Sequence, residues 1–212
     1  GVGSSVVNAL SAYMDIKISK DGGIHHDRYE RGNPVVELEN GLLPIIGKTR
    51  STGTVVNFLP DEEIFEKIRF KADAVKNRMH ETAYLNPELT IYFENKRAGE
   101  EESVVFHEKE GIRGFVKALN EGKETVTDII SFQGETEGII VEAAFQYINE
   151  FQENILGFCN NIYTQEGGTH ITGFKTICTS IINSYARELG ILKEKDANFT
   201  GTDVRNGMTA VI

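Results

Sequence analysis

Cysteine is scarce in this sequence, and long hydrophobic runs are missing. The 212 residues include only two cysteines, Cys159 and Cys178, and neither belongs to a CxxC pair. We interpret both as buried, apolar thiols of a protein in a reducing cytoplasm, where disulfides are rare. No apolar stretch approaches the roughly 20 residues that span a bilayer. The sequence therefore excludes a transmembrane helix and predicts no membrane partner.

Positive charge is also in short supply. The chain has 22 Lys and Arg against 32 Asp and Glu, a formal net charge of −10. Residues 1–110 and 111–212 each contribute −5. There is no basic stripe of the kind that grips duplex DNA, so we expect the isolated chain to bind duplex DNA weakly at most. The best candidates for a local basic face are Lys175 and Arg187, with Arg205 nearby.

The polarity of the first part of the chain alternates as in β-strands. Residues 13–19 place Met14, Ile16 and Ile18 on one face of a half-buried strand. The turn sequence Asp21-Gly22-Gly23 predicts a hairpin after it. Further strands are predicted at 24–30, 54–59, 89–93, 104–106, 129–133, 138–147, 155–161 and from Met208 onwards.

Helical spacing of apolar residues predicts helices between these strands. We expect Ser4 or Ser5 to cap the first helix, Asp61 to cap a second that runs to Met79, and Thr169 to cap the longest. Shorter helices are predicted at 112–119 and after Thr200. Gly190 is expected to end the longest helix. Its predicted apolar stripe consists of Phe174, Ile177, Cys178, Ile181, Ile182, Tyr185 and Leu189.

Helices and hairpins are mixed without a repeating βαβ unit, which predicts an α+β fold. A charged turn at 94–102 is followed by a new helix and a new set of strands. We therefore expect two domains, 1–109 and 110–212, that meet near Lys109–Gly111. The sequence contains no internal repeat and no low-complexity tract.

Four motifs in this order carry a family resemblance. They are GVGSSVVNALS at 1–11, FQENI at 151–155, NNI at 160–162 and EGGTHITGFK at 166–175. Together they resemble the gyrase B subunit family, the ATP-driven half of bacterial type II topoisomerases. The resemblance covers the whole chain. It implies the C-terminal part of a GHKL (Bergerat-type) ATPase sandwich at 1–109, followed by a ribosomal-protein-like α+β transducer domain at 110–212, truncated at its C-terminal end.

The resemblance also assigns an ATP-binding wall. It implies that Gly1, Val2, Gly3 and Ser4 line the β- and γ-phosphates. Glycine lets backbone N–H groups approach an anion. Taken alone, GxG is a weak signal that more often marks only a tight turn into a helix.

The adenine side is assigned in the same way. The segment STGTVV at 51–56 resembles the family's TGT strand, in which Thr54 would hydrogen-bond near the adenine amino group and Val56 would form an apolar floor. Taken alone, Thr54 is an ordinary β-branched strand residue. Lys20 falls at the pocket mouth, where many relatives have an arginine that contacts aminocoumarin-type inhibitors.

Other functional groups of the family fall outside this sequence. The resemblance places the catalytic glutamate, the Mg²⁺-binding asparagine and the adenine-reading aspartate before Gly1, and a γ-phosphate lysine after Ile212. It therefore implies a fragment with no catalytic residue and no metal ligand of its own. ATP and Mg²⁺ would be cofactors of the intact parent. Its partners would be a gyrase A-type subunit, a second B subunit and DNA through the assembled enzyme.

Two alternatives to a gyrase subunit stay open: the B subunit of topoisomerase IV, and a non-catalytic coupling module for the isolated chain. Several residues depart from the family pattern or invite a chemical role. Lys175 stands where arginine is common, and Asn206 replaces a usual glutamate. We interpret His170 as a hydrogen-bonded packing residue, because no second ligand is spaced to join it on a metal. His25 and His26 should lie on opposite strand faces.

Overall fold

A computed structural model of the chain describes residues 2–212, so Gly1, one of the predicted phosphate-binding residues, lies outside the described part. The chain forms two compact units, Gly1–Lys71 and Ala72–Ile212. This division lies before the predicted boundary at Lys109–Gly111. The assignment of 1–109 and 110–212 to two family domains stays a prediction. No helix in the described residues is both long and apolar enough to cross a membrane.

The first unit is one helix and a five-stranded antiparallel sheet. Its strand order is β3-β2-β1-β5, and β4 also pairs with β2. The elements are α1 (Gly3–Ala9), β1 (Ser11–Lys20), β2 (Gly23–Glu30), β3 (Asn33–Pro34), β4 (Ile45–Lys48) and β5 (Gly53–Pro60).

The predicted hairpin between β1 and β2 is confirmed. Asp21 and Gly22 form its two-residue loop, with φ of 53° and 82°. Positive φ at both loop positions is typical of a type I′ turn, whose twist matches that of the paired strands. Lys20 then pairs with Gly23 across the turn.

Two of the predicted helix caps in this unit are wrong. Helix α1 has Val2 at its N-cap and no side-chain cap, so Ser4 and Ser5 lie within the helix. Asp61 starts a turn, and the next helix begins only at Ala72. The Asp61 carboxylate accepts the Glu63 backbone N–H at 2.9 Å, as a cap would, but this closes only a turn. The same carboxylate is also paired with Arg31 Nε at 2.8 Å, a long-range contact that a local pattern does not show.

The second unit contains a four-stranded sheet of order β10-β13-β9-β8 and two separate hairpins, β6-β7 and β11-β12. The elements are α2 (Ala72–Leu85), β6 (Ile91–Asn95), β7 (Glu102–Phe106), α3 (Gly111–Leu119), β8 (Ile130–Thr136), β9 (Ile139–Tyr147), β10 (Asn154–Leu156), β11 (Phe158–Cys159), β12 (Ile162–Tyr163), α4 (Thr169–Glu188), α5 (Gly201–Arg205) and β13 (Met208–Val211).

An aromatic stack explains why α2 belongs to this unit. Tyr84 on α2 stacks on Phe115 of α3, with ring centroids 4.9 Å apart. His80 stacks on Tyr84 at 4.5 Å and on Phe106 of β7 at 4.7 Å. Because stacked aromatic rings bury large areas, α2 and the β6-β7 hairpin are held on the side of α3.

Helices α3 and α4 cover opposite faces of the β10-β13-β9-β8 sheet. Successive residues of a strand point to opposite faces. Val211 packs with Ile112 and Val116 of α3. Met208 and Ala210 pack with Phe174 of α4 instead. All four residues of β13 are buried, so this strand is the centre of the unit.

The apolar stripe predicted for α4 is only partly buried. Phe174 is 6% exposed, whereas Ile177, Ile181 and Tyr185 are 49–59% exposed. The helix has 20 residues, about 30 Å, and packs against strands that are much shorter, so much of its apolar face has no sheet beneath it. Its N-cap is Gly168, so the predicted cap at Thr169 is one residue too late.

The end of α4 agrees with the prediction, whereas both cysteines are less buried than predicted. Gly190, with φ of 71°, ends the helix as predicted. Cys178 is partly buried, and burial raises the pKa of its thiol. Cys159 is exposed, so the prediction that both thiols are buried is wrong for this residue. It lies in the two-residue strand β11, at the turn into β12, where little chain covers it.

Candidate functional site

The residues predicted to contact adenine lie on one face of the first unit's sheet. Strands β1 and β5 are antiparallel, with Thr54 opposite Ile18 and Val56 opposite Ile16. Because strand side chains alternate, Thr54 and Val56 share a face with Ile16 and Ile18. Val56 is 48% exposed, so this face is open.

Lys20 belongs to the same region of the sheet. It follows Ile18 by two residues and therefore points to the same face as Thr54. Its side chain is 69% exposed, and its only described ion pair is a long one of 3.9 Å to Asp21. The structure thus brings together Lys20, Thr54 and Val56.

Helix α1 lies over this face farther along β5. Val6, Val7 and Leu10 of α1 line an apolar cavity of about 330 Å³ with Phe58 of β5, which shares the face of Thr54 and Val56. Val2, at the helix N-cap, is 77% exposed. Because α1 has no side-chain cap, the first N–H groups of the helix, including those of Gly3 and Ser4, have no side-chain partner.

The opposite face of this sheet is polar. His26 Nε2 lies 2.8 Å from Asp15 Oδ2, and Arg28 lies over the ring of Tyr13 at 4.8 Å. The hydrogen bond with His26 lowers the pKa of Asp15, against a smaller opposing effect of burial. Because His26 and Asp15 face each other across the strands, His25 points to the other face. The prediction that His25 and His26 lie on opposite faces is confirmed.

The EGGTH motif of the second unit packs against the chain that precedes α4. His170 Nε2 lies 3.2 Å from Thr164 Oγ1, whose hydroxyl also donates to the Gly157 carbonyl at 2.9 Å. A Cβ on Gly168 would lie 2.7 Å from the His170 ring, and one on Gly157 would collide with Ile171. His170 is a hydrogen-bonded packing residue, as predicted. Among residues 2–212 no group of three or more His, Cys, Asp or Glu could hold a metal ion.

The NNI motif forms the turn between β11 and β12. Asn160 and Asn161 have φ of 48° and 65°, a conformation that asparagine tolerates well. The Asn161 side chain donates to Asn86 Oδ1 at 2.9 Å, and its carbonyl accepts from Arg78 Nη2 at 3.0 Å. The motif therefore ties this hairpin to α2 and the residue after it.

The three cations singled out in the sequence converge on a polar groove beside α4 and α5. We call it the α4–α5 groove, a space of about 630 Å³ lined by Thr172, Lys175, Thr176, Thr179, Ser180, Asn183, Ser184, Arg187, Asn198, Phe199, Gly201 and Arg205. The lining residues carry three positive charges and no carboxylate. In a chain of net charge −10, this groove suits a ligand rich in anionic oxygen.

Each of the three cations has an intramolecular partner. Lys175 Nζ and Arg205 Nε each lie 2.6 Å from a carboxylate oxygen of Glu153. Arg187 instead closes the loop after α4, because it donates to the carbonyls of Lys193 and Asp196 at 3.0 and 2.9 Å. Arg187 is therefore a structural residue of that loop.

The sequence prediction assigned no role to Glu153, which pairs with two of the three groove cations. It lies in FQENI, a motif that marks the family resemblance without indicating a role for its glutamate. Burial is the largest single effect on the pKa of Glu153 and would raise it, but Lys175 and Arg205 together outweigh burial and lower the pKa. The sequence does show a glutamate within a motif just before a strand. The two cations that pair with it lie 22 and 52 residues away along the chain, so the pairing could not be predicted locally.

Comparison with known proteins places these motifs in a family. A family model described as DNA gyrase B matches residues 111–212. The B subunit of DNA topoisomerase 4 from Staphylococcus aureus is 45% identical over 213 residues, which cover 100% of this chain and 32% of that protein. The chain is therefore similar to B subunits of the gyrase family along its whole length. It thus spans about a third of the length of this curated relative.

Solved structures of the gyrase B family share its fold. The 43K ATPase domain of Thermus thermophilus gyrase B, solved with an aminocoumarin, matches with a TM-score of 0.82 and 34% identity over 100% of this chain and 57% of that one. The topoisomerase IV ATP-binding domain of Francisella tularensis, solved with a small-molecule inhibitor, matches with a TM-score of 0.77 and 25% identity over 98% and 55%. These matches confirm the predicted α+β fold of GHKL type.

A third match supports the fold alone. The gyrase B subunit of Myxococcus xanthus has a TM-score of 0.78 at 23% identity, over 95% of this chain and 56% of that one. The gyrase B family model begins at Gly111, the first residue of α3.

A buried polar cluster in the part matched by the gyrase B model was not predicted. Thr209 Oγ1 donates to Asn120 Oδ1 at 2.7 Å, and Asn120 Nδ2 donates to Gln146 Oε1 at 2.9 Å. Tyr147 donates its hydroxyl to the Val204 carbonyl at 2.7 Å, and burial raises its pKa to about 12. These groups are distant in sequence, so no local pattern marks them.

Proposed function

We propose that this chain is the section of an ATP-driven type II topoisomerase B subunit that carries one wall of the nucleotide pocket and couples it to DNA strand passage. One observation carries the proposal. The residues predicted to bind ATP lie in the unit Gly1–Lys71, whereas the motifs FQENI, NNI and EGGTH lie in the unit Ala72–Ile212. A chain that holds both units can transmit a change at the first to the second.

The first unit contributes to ATP binding. Thr54 supplies a hydroxyl that donates and accepts, and Val56 supplies an apolar surface for the adenine ring. Lys20 lies at the pocket mouth, and Gly1, Val2, Gly3 and Ser4 contact the phosphates. Support comes from the Thermus and Francisella relatives, which are named as an ATPase and an ATP-binding domain.

Residues 2–212 contain no group of three or more His, Cys, Asp or Glu that could hold a metal ion. Mg²⁺ at nucleotide sites is held by one or two side chains together with substrate phosphates, and the family resemblance assigns no such ligand to this chain. This chain therefore orients the nucleotide and leaves water activation and metal binding to other parts of the parent. The isolated chain is a coupling module without turnover.

In the assembled enzyme the partners are an A-type subunit, a second B subunit and DNA. Supercoiling is the activity of a gyrase-type parent. A topoisomerase IV parent is the second candidate, and the 45% identity to the topoisomerase 4 relative from Staphylococcus aureus favours it. The full-length B subunit, assembled in turn with gyrase-type and topoisomerase IV-type A subunits, is assayed for supercoiling of relaxed plasmid and for separation of linked circles. Supercoiling supports the gyrase assignment, and efficient decatenation without supercoiling supports the alternative.

The nucleotide wall is tested in the same full-length enzyme. We expect Thr54→Ala to raise the KM for ATP severalfold, because one hydrogen bond to a neutral group contributes about 1 kcal/mol. The matched control is Thr82→Ala on α2, whose hydroxyl donates only to the Arg78 carbonyl. Equal KM values for the two variants would contradict the role of Thr54.

A further inference from the structure

A carboxylate of the chain itself pairs with two of the three cations that line the α4–α5 groove. Glu153 precedes β10 and contacts Lys175 on α4 and Arg205 on α5, both at 2.6 Å. The Arg205 and Lys175 side chains are only 17% and 30% exposed, and Glu153 is 37% exposed. The carboxylate is therefore held between two cations that line the groove, although it does not line the groove itself.

The rest of the groove suits phosphate oxygens. Five hydroxyls and two side-chain amides line it. Thr176, Thr179 and Ser184 donate their hydroxyls to helix carbonyls, and the Asn183 amide donates to two further carbonyls. The hydroxyls of Thr172 and Ser180 and the amide of Asn198 are the lining donors that a phosphate can use. Gly201 also lines it, and a Cβ there would lie 2.5 Å from Arg205 Nη1. Glycine at this position therefore lets the guanidinium lie against the groove wall, where its fork can meet a phosphate.

We propose that Glu153 is the internal counter-ion of this groove and that it competes with the phosphate backbone of duplex DNA for Lys175 and Arg205. This inference rests on the proposed function, since DNA is the polyanion that the parent handles. With Glu153 in place, two of the three groove cations are neutralised, and duplex binding is weak. When a backbone phosphate displaces the carboxylate, both cations become available together, because one residue holds both.

The chain's charge distribution agrees with such competition. Arg187 is committed to the loop that follows α4 through bonds to two carbonyls, so it contributes charge and little freedom of movement. Lys175 and Arg205 are side chains that an incoming anion can recruit by exchanging one carboxylate for one phosphate. The low pKa of Glu153 keeps the carboxylate ionised at neutral pH.

The test is fluorescence anisotropy of a short labelled DNA duplex with the full 212-residue chain, over a series of salt concentrations from about 50 mM. We expect Glu153→Gln to tighten binding about tenfold at the lowest salt, because two partly exposed ion pairs are released. Because a displaced Glu153 leaves Lys175 and Arg205 on the same phosphates in the parent complex, the tightening should persist through the salt series, and the slope of log affinity against log salt should change by less than the ~0.9 of one extra phosphate contact. A purely structural role for Glu153 would not tighten binding.

Two controls separate the possible outcomes. Glu137→Gln makes the same charge change in the turn between β8 and β9, and it should leave the affinity unchanged. Adding Lys175→Gln and Arg205→Gln to Glu153→Gln should abolish the gain. Thermal unfolding of each variant, followed by circular dichroism, verifies that it is folded.

Unchanged or weaker binding of Glu153→Gln would overturn the inference. If Lys175→Gln/Arg205→Gln still loses affinity in that case, the groove does contact DNA, and the proposed function stands without the competition. If all variants bind alike, the groove does not face DNA, and the inference fails together with that part of the proposed function.

Discussion

Strands β5 and β13 both consist largely of apolar residues, but β5 is exposed to solvent and β13 is buried. Seven of the eight residues of β5 are exposed, whereas all four residues of β13 are buried. Strand β13 lies between two neighbouring strands and beneath two helices, while β5 is at the edge of its sheet. The second unit therefore has a closed core of its own, and the face of the first unit that carries Thr54 and Val56 is open to a ligand or to further chain. Equivalent substitutions in the two strands should differ in cost.

The largest difference is expected at glycines. Gly207, just before β13, has φ of 72°, and a Cβ there would collide with the Ile148 carbonyl oxygen and lie 2.8 Å from that of Glu150. Gly207→Ala should destabilise the second unit by roughly 3 kcal/mol or more, from backbone strain and the clash together. Gly41→Ala in the first unit has the same strain at φ 79° and no neighbour within 4 Å, so it should cost about 1 kcal/mol. Denaturant unfolding measures both, and equal costs would contradict the packing at Gly207.

The next difference concerns valines. Val211 of β13 is fully buried and Val55 of β5 is 55% exposed. We expect Val211→Ala to cost about 2 kcal/mol, from lost burial and the cavity left behind. Val55→Ala should stay within about 0.5 kcal/mol of the parent chain. Chemical denaturation compares them, and a Val55→Ala cost as large as that of Val211→Ala would mean that β5 is not an open strand.

Threonine hydroxyls give a smaller contrast. Thr209→Val removes the donor to Asn120 Oδ1 and leaves a buried acceptor without its partner, so we expect a loss of about 1.5 kcal/mol. Thr54→Val should change stability by less than about 0.5 kcal/mol, because Thr54 is exposed. Thermal unfolding of both variants measures the contrast. Full stability of Thr209→Val would show that the Asn120–Gln146–Thr209 cluster contributes nothing.

The smallest effect is a pH dependence of the first unit. The pKa of Asp15 is lowered in the folded chain, chiefly by its hydrogen bond with His26. A lowered carboxyl pKa contributes stability that is present above the ordinary value of 3.8 and is lost as pH falls through the folded value. The stability difference between the parent chain and Asp15→Asn should therefore be largest near neutral pH and shrink below about pH 4. A difference that grows with acidity would have the wrong sign for this contact.

The parts of the fold that follow from local pattern were predictable. The β1–β2 hairpin depends on Asp21 and Gly22, and α3 depends on apolar residues one helical turn apart. The caps were less predictable, because Asp61 has the chemistry of an N-cap but is drawn to Arg31, 30 residues earlier. The exposed side of α4 was missed because periodicity reports which residues share a face and not how much sheet lies under it.

The residues of the candidate site differ in the same way: some follow from local pattern, and others depend on long-range contacts. Thr54, Val56 and Lys20 were assigned to the ATP-binding wall through motif resemblance, and strand alternation places them on one face; their role in binding ATP stays a prediction. Glu153 was not assigned a role, because its two partners are brought close only by folding. Local sequence therefore indicated the three cations of the groove, but not the carboxylate between two of them.

The hydroxyl that Tyr147 donates to the Val204 carbonyl gives the chain an optical reporter. The sequence has seven tyrosines and no tryptophan, so its near-ultraviolet absorbance and emission come from tyrosine without a dominant background. Burial raises the pKa of Tyr147 to about 12. Its phenol therefore contributes unionised absorbance after ordinary surface tyrosines have ionised. A rearrangement that separates β9 from α5 would be visible as early ionisation of one ring, without any attached dye.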